Sequence, residues 1–189
     1  MTPRLLLLPG LLLLAAAAAS APIRYDVDGA ATTVSAKVAF FGLASKTAEF
    51  PKVSGGATLS PADPQSMRLE VTLDARALQA PDKVTLQRLR GERFFWVDRY
   101  PTVRFSGSGM TLSDALNGHV DGMLTARGVT KPVRLEVAFD TPPTDARPGE
   151  PLRLTGSTTI DRRDFGMTAY SVIVGRKVDI VIKARMVPK

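Results

Sequence analysis

Apolar and polar residues alternate with a period of two over most of this chain, as they do in strands with one buried face. Met67, Leu69, Val71 and Leu73 alternate with Arg68, Glu70, Thr72 and Asp74. Val133, Leu135, Val137 and Phe139 alternate with Arg134, Glu136, Ala138 and Asp140. The same rhythm runs through Val34, Ala36, Val38 and Phe40, through Val103 and Phe105, through Val120, Gly122 and Leu124, and through Val178, Ile180 and Ile182. Turn-forming groups lie between these runs: Ser54-Gly55-Gly56, Asn117-Gly118, Arg127-Gly128 and Val174-Gly175-Arg176-Lys177. Such pairs tolerate the positive φ of tight hairpins, so consecutive strands are predicted to be mostly antiparallel neighbours. Ser106-Gly107-Ser108-Gly109 reads as a strand end or bulge.

One stretch breaks the rhythm. Between Pro81 and Arg93, the residues Val84, Leu86 and Leu89 share a helical face, and Asp82 is placed to cap its start. A short helix is predicted near residues 82–91, and it must dock on the sheet to persist, because so short a helix is unstable alone in water. The proline-rich run at 141–151 reads as an exposed loop with no fold of its own. The expected class is all-β, with about 8–10 short strands, which can close as a sandwich or as a barrel. Periodicity alone does not choose.

Composition narrows the setting. Met1-Thr2-Pro3-Arg4, the apolar run Leu5 to Leu14 and the small residues to Ala19 have the order of a secretory leader, with cleavage expected after Ala19 or as late as Ala21. The predicted organisation is a leader at 1–19 and one domain at 22–189, in a periplasmic protein, or a secreted one where no outer membrane exists. Without residues 1–19 there remain 24 basic against 18 acidic residues, so the exported part stays basic. Export argues against nucleic acid as a partner, while the charge allows weak contact with an anionic membrane surface. The chain has no cysteine, so packing rather than disulfides must stabilise it.

The residues also exclude much chemistry. With one histidine, His119, and no cysteine, there is no thiol nucleophile and no Cys/His metal cluster. His119 falls on the polar face of a strand start. A Ser-His-Asp triad lacks a Gly-x-Ser-x-Gly turn, and neither a phosphate loop nor a dinucleotide signature is present. Asp161 and Asp164 flank Arg162-Arg163, where ion pairing is the simpler account than glycosidase-like work. No catalytic residue, cofactor or metal ligand is expected.

Three ordered stretches resemble the YceI-like, or polyisoprenoid-binding, family. They are Phe94-Phe95-Trp96-Val97-Asp98-Arg99-Tyr100-Pro101, Gly122-Met123-Leu124-Thr125-Ala126-Arg127-Gly128-Val129-Thr130-Lys131-Pro132-Val133, and Ile160-Asp161-Arg162-Arg163-Asp164-Phe165-Gly166. With Tyr25 to Asp28 and the region from Phe41-Gly42 to Phe50, the resemblance covers nearly the whole mature chain. By their chemistry these residues suit a scaffold: Gly128 a positive-φ hairpin position, Asp164 a cap or partner for Arg162 or Arg163, Gly166 a bend. The family often carries histidines where this chain has Ala31-Thr32, Phe40 and Thr85-Leu86-Gln87-Arg88-Leu89, and a glycine where it has Ala48. Phe40 therefore predicts a more apolar interior.

The resemblance implies an extended, antiparallel, lipocalin-like β-barrel that carries a long-chain lipid or isoprenoid: a polyisoprenoid, quinone or fatty-acid derivative. Small residues at inward phase, Ala36, Ala57, Gly122 and Gly156, beside large ones suit a lumen for one slender ligand. The expected apolar lining is Ala36, Val38, Phe40, Leu43, Phe50, Leu69, Val71, Leu73, Phe94, Phe95, Trp96, Phe105, Leu124, Leu135, Val137, Phe139, Ile160 and Phe165. Arg88, Arg90 and Arg93, clustered beside the aromatic pair, are the expected rim for an anionic head group. The rival reading is a filled barrel acting as a protein-interaction or stress-response module.

Overall fold

The computed structural model describes residues 21–189. Residues 1–20, and with them the leader reading, lie outside the described residues. Ten strands and one helix follow in chain order. They are β1 (Ile23–Val27), β2 (Thr33–Phe40), β3 (Ala44–Glu49), β4 (Val53–Ser60), β5 (Asp63–Asp74), α1 (Lys83–Arg90), β6 (Thr102–Leu112), β7 (Asn117–Ala126), β8 (Val129–Phe139), β9 (Leu152–Asp161) and β10 (Val174–Pro188).

Every pairing is antiparallel, in the order β1-β4-β5-β6-β7-β8-β9-β10, and β10 returns to β1, so eight strands close a ring. β10 makes this possible because it is 15 residues long and changes partner along one edge. Its first part pairs with β2, from Val174↔Phe40 to Lys183↔Thr33, and its last residues pair with β1, from Met186↔Val27 to Pro188↔Tyr25. The hairpin β2–β3 therefore extends the wall at one end only. The choice between sandwich and barrel falls to the barrel.

The antiparallel order gives the barrel two distinct ends. The C-terminal ends of β5, β7 and β9 and the N-terminal ends of β6, β8 and β10 share one end with α1 and the β2–β3 tip. The opposite end is shut by the 141–151 segment. The loop expected there is exposed over most of its length but is not structureless: residues Pro143–Asp145 form a 3-10 turn, Pro143 is fully buried, and Ala146 packs on the core cluster of Leu59, Met110, Phe139 and Leu152. The Pro143 ring finds its burial at the base of the barrel, whereas Pro148 and Pro151 stay exposed.

Three glycine groups expected in turns lie inside strands. Gly55 and Gly56 are in β4, where a Cβ would stand 2.1 Å from the Glu70 carbonyl oxygen and 2.5 Å from that of Tyr25. Close backbone approach, not chain reversal, requires them. Gly118 lies within β7, where a Cβ would stand 2.5 Å from the Thr111 carbonyl oxygen, and the reversal occurs earlier, at residues 113–116, held by Asp114 bonding to the Leu116 and Asn117 amides at 2.8 Å. Val174 to Lys177 open β10 with a register shift between Val174 and Val178, and the reversal comes earlier, at residues 171–173. Elsewhere the reading and the structure agree: Arg127 and Gly128 take φ of 51° and 73° in the β7–β8 turn, and the β6–β7 register shifts between Gly107 and Met110.

Candidate ligand cavity

The barrel is hollow. A cavity of about 420 Å³ runs along its axis, within the ~300–1,000 Å³ of small-molecule sites. Its wall is built by the strand alternation: Ala36 and Val38 of β2, Leu69, Val71 and Leu73 of β5, Leu135 and Val137 of β8, and Ile180 and Ile182 of β10 all point inward. Several of them, Ala36, Val71, Leu73, Ile180 and Ile182 among them, are only half-buried although the barrel encloses them. Small residues keep the space open. Phe105 lies against Gly107 and Gly122, where a Cβ on Gly122 would meet the ring at 2.5 Å.

The lumen narrows to a sealed base at Leu59, Met110, Phe139, Leu152 and Met186, all buried. The lining residues that solvent reaches freely are Asp82, Val84, Arg88 and Tyr170, and all stand at the α1 end, which is the mouth. Asp82 caps α1 by accepting from the Thr85 amide at 2.8 Å and is bound by Lys46 of β3 at 2.9 Å. This ties the start of the helix to β3. Arg88 stands 5.4 Å from the Tyr170 ring, which stacks on Phe94 at 6.1 Å.

Lys46, with help from the Thr85 bonds, holds the Asp82 carboxyl well below the usual carboxylate range. Since the folded value is depressed, the tether is intact above the ordinary 3.8 and is lost as pH falls through the lower folded value. Asp82→Ala is accordingly expected to raise amide exchange of residues 83–90 severalfold at neutral pH. The unmodified protein should approach the same rate only in strong acid, and hydrogen-exchange mass spectrometry over a pH series checks both.

Beneath the mouth lies Arg162, 3% exposed and lining the cavity. Its Nε and Nη2 donate to the carbonyls of Gly175 and Val174 at 2.8 and 2.9 Å, and its Nη1 donates to that of Met167. Burial pushes its pKa down, against the opposing field of Asp161. Asp161 itself bonds Arg163 at 2.7 Å and caps the 3-10 turn Arg162–Phe165, the role expected of Asp164. Gly166 ends that turn at φ 73°.

Of the residues expected to line the lumen, Ala36, Val38, Phe40, Phe50, Leu69, Val71, Leu73, Phe94, Phe95, Phe105, Leu124, Leu135, Val137, Phe139 and Ile160 do so. Three do not. Leu43 stands wholly in solvent at the β2–β3 tip. Trp96 takes φ 48° and packs edge-on to Tyr100 at 5.8 Å, with the Arg99 guanidinium 4.8 Å from its ring. Phe165, 1% exposed, sits within the turn that seats on β8 and β10 and is enclosed by protein. At the rim only Arg88 lines the cavity. Arg90 is spent on the carbonyls of Arg76 and Leu78 at 2.9 and 3.4 Å, and Arg93 stands behind Tyr170, bonding its hydroxyl at 3.4 Å. Sequence reasoning missed Lys46, Tyr170 and Arg162 as lining residues, because each arrives from a distant segment with no local signal.

A profile of the YceI-like domain matches residues 25–186. The chain belongs to the YceI-like family. Similar YceI-like relatives include a UPF0312 protein of Shewanella putrefaciens, 30% identical over 80% of this chain and 79% of its own, and one of Pseudomonas putida, 27% identical over 82% and 81%. Among solved structures, BcnA of Burkholderia cenocepacia superposes with a TM-score of 0.75 at 23% identity, over 84% of this chain and 98% of its own. A polyisoprenoid binding domain from Saccharophagus degradans, implicated in plant cell wall breakdown, gives 0.67 at 13% identity, over 88% and 99%. Both share the YceI-like barrel.

Proposed function

We propose that this protein is an exported carrier that holds one long-chain amphiphile in its barrel, the chain running towards the sealed base and the polar end at the mouth. The single observation that carries the reading is the apolar cavity of about 420 Å³ with one polar end. Water along an apolar wall finds few hydrogen-bond partners, so an apolar guest that displaces it is favoured. Burying such a guest contributes about 25 cal/mol per Å². The polyisoprenoid named for the Saccharophagus degradans domain agrees with a slender apolar chain.

At the mouth, Lys46, Arg88 and Tyr170 offer donors and positive charge to the head group. Lys46 is already paired with Asp82, so Arg88 is the freer cation. The ligand class is a prenyl, quinone or fatty-acid derivative, and the setting is the periplasm, or the exterior where no outer membrane exists. Purified protein extracted with organic solvent is expected to release one equivalent of such a lipid, read by mass spectrometry. A clean extract, together with no uptake of added long-chain lipid, would instead support a ligand-free interaction module.

A further inference from the structure

The most exposed large apolar residues stand at the mouth, while the less exposed Leu116, Met123 and Val181 lie on the far turn and the outer wall. Among the described residues, the most exposed are Leu43 at 101%, Val172 at 96%, Phe41 at 64% and Val84 at 57%. Phe41 and Leu43 flank Gly42 at the β2–β3 tip. The Phe41 amide donates to the Ile173 carbonyl at 2.8 Å, which sets this tip beside the loop bearing Val172. Val84 is in the first turn of α1, which the Lys46–Asp82 pair holds to β3. Phe41 also takes φ 52°, a region that favours glycine and asparagine over a bulky side chain. That conformation holds the ring outward at the hairpin tip, edge-on to Phe40 at 4.7 Å.

Charge follows the same end. Residues 40–48 carry Lys46 and no acid, and residues 168–177 carry Arg176 and Lys177 and no acid. Residues 81–93 carry Lys83, Arg88, Arg90 and Arg93 against Asp82 and Glu92, and Asp82 is bound to Lys46. Apolar tips on three separate segments, set among cations and surrounding an opening into an apolar lumen, fit a soft anionic sheet better than a rigid protein groove.

We propose that the mouth docks on an anionic phospholipid surface. Phe41, Leu43, Val172 and Val84 enter the head-group and acyl boundary, and Lys83 and Arg176 meet the phosphates. The lumen then opens directly onto the bilayer, and a chain passes between them without crossing water. This inference rests on the carrier reading of the cavity and adds where the cargo is exchanged.

The test is flotation of the purified protein with phosphatidylcholine vesicles, with and without phosphatidylglycerol. Binding is expected with the anionic vesicles, weaker with the neutral ones, and falling as salt is raised. The triple variant Phe41→Ser, Leu43→Ser, Val172→Ser replaces no lining residue, and the contact with the lining that it removes is the Phe41 ring packed edge-on to Phe40 at 4.7 Å. It is expected to lose roughly tenfold in partition for each side chain. Lys83→Ala and Arg176→Ala should each lose about fivefold on anionic vesicles only. Uptake of a fluorescent fatty acid from solution should be unchanged in all of them. Equal flotation of the triple variant and the parent, or no flotation of the parent on anionic vesicles, would overturn the proposal. Uptake without flotation defeats docking alone, whereas flotation without uptake defeats the carrier reading.

Discussion

Ala36→Trp is expected to abolish lipid binding while leaving the barrel folded. Ala36 lies in the middle of β2, between Ile180 of β10 and Ala48 of β3, and its side chain faces the lumen. An indole there grows into open space and not into packed neighbours, which is the situation in which adding bulk does not overpack a core. It gains dispersion contacts with Val38, Ile180 and Ile182 and covers the path that a guest chain needs. The affinity loss should reach at least about a hundredfold, equivalent to denying burial to a few methylenes at ~0.8 kcal/mol each. Melting temperature should hold or rise. Lipid titration and calorimetry on the same preparation separate the two effects, and the smaller Ala57→Leu change should weaken binding partially.

Arg162→Met should have the largest effect on stability. The guanidinium supplies three carbonyls from residues 167, 174 and 175, which close the loop leading into β10. Methionine matches the stem but leaves those carbonyls buried without donors, at about 1–3 kcal/mol for each one that water does not reach. A net loss of ~3–5 kcal/mol is expected, as when one partner of a buried charged network is removed. For a chain of this size that lowers the melting temperature by roughly 10 °C or more. Arg162→Lys, which reaches only some of the carbonyls, should recover part of the loss. An unchanged melting temperature for Arg162→Met would show that the carbonyls find water instead.

How much of this was legible in the sequence depended on the range of the interaction. The helix was readable because its cap, Asp82, and its apolar face lie within a few residues of each other, and the observed α1 starts one residue after that cap. The inward wall was readable because strand alternation is local, so Leu69, Val71, Leu135 and Val137 fell on the right face. Glycines misled, since Gly55-Gly56 and Asn117-Gly118 look the same whether the chain reverses there or runs on as a strand with no room for a Cβ, and Gly55 takes φ 136° inside β4 without a reversal. Phase also fails where the strand ends: Leu43 and Trp96 continue an apolar run, but a hairpin tip and a left-handed residue turn them away. The mouth was least legible. Lys46, Asp82, Arg88 and Tyr170 come from three segments, and only closure of the barrel brings them together.

The split partnership of β10 sets the order in which this molecule can assemble. Its pairing with β9 is a neighbour's contact, but Val27↔Met186 and Val34↔Ile182 join positions separated by nearly the whole domain. Contacts of such sequence separation are slow to form, because the long chain between them must first be gathered. The strands from β4 to β9 can zip as successive hairpins, yet they enclose nothing until the final strand arrives and meets both β1 and β2. Only three residue pairs then seal the ring at β1, backed by Arg185 bonding Asp28 at 2.6 Å. The interior is therefore enclosed only when β10 is paired on both edges, and without that strand the other seven bound an open sheet and no compartment.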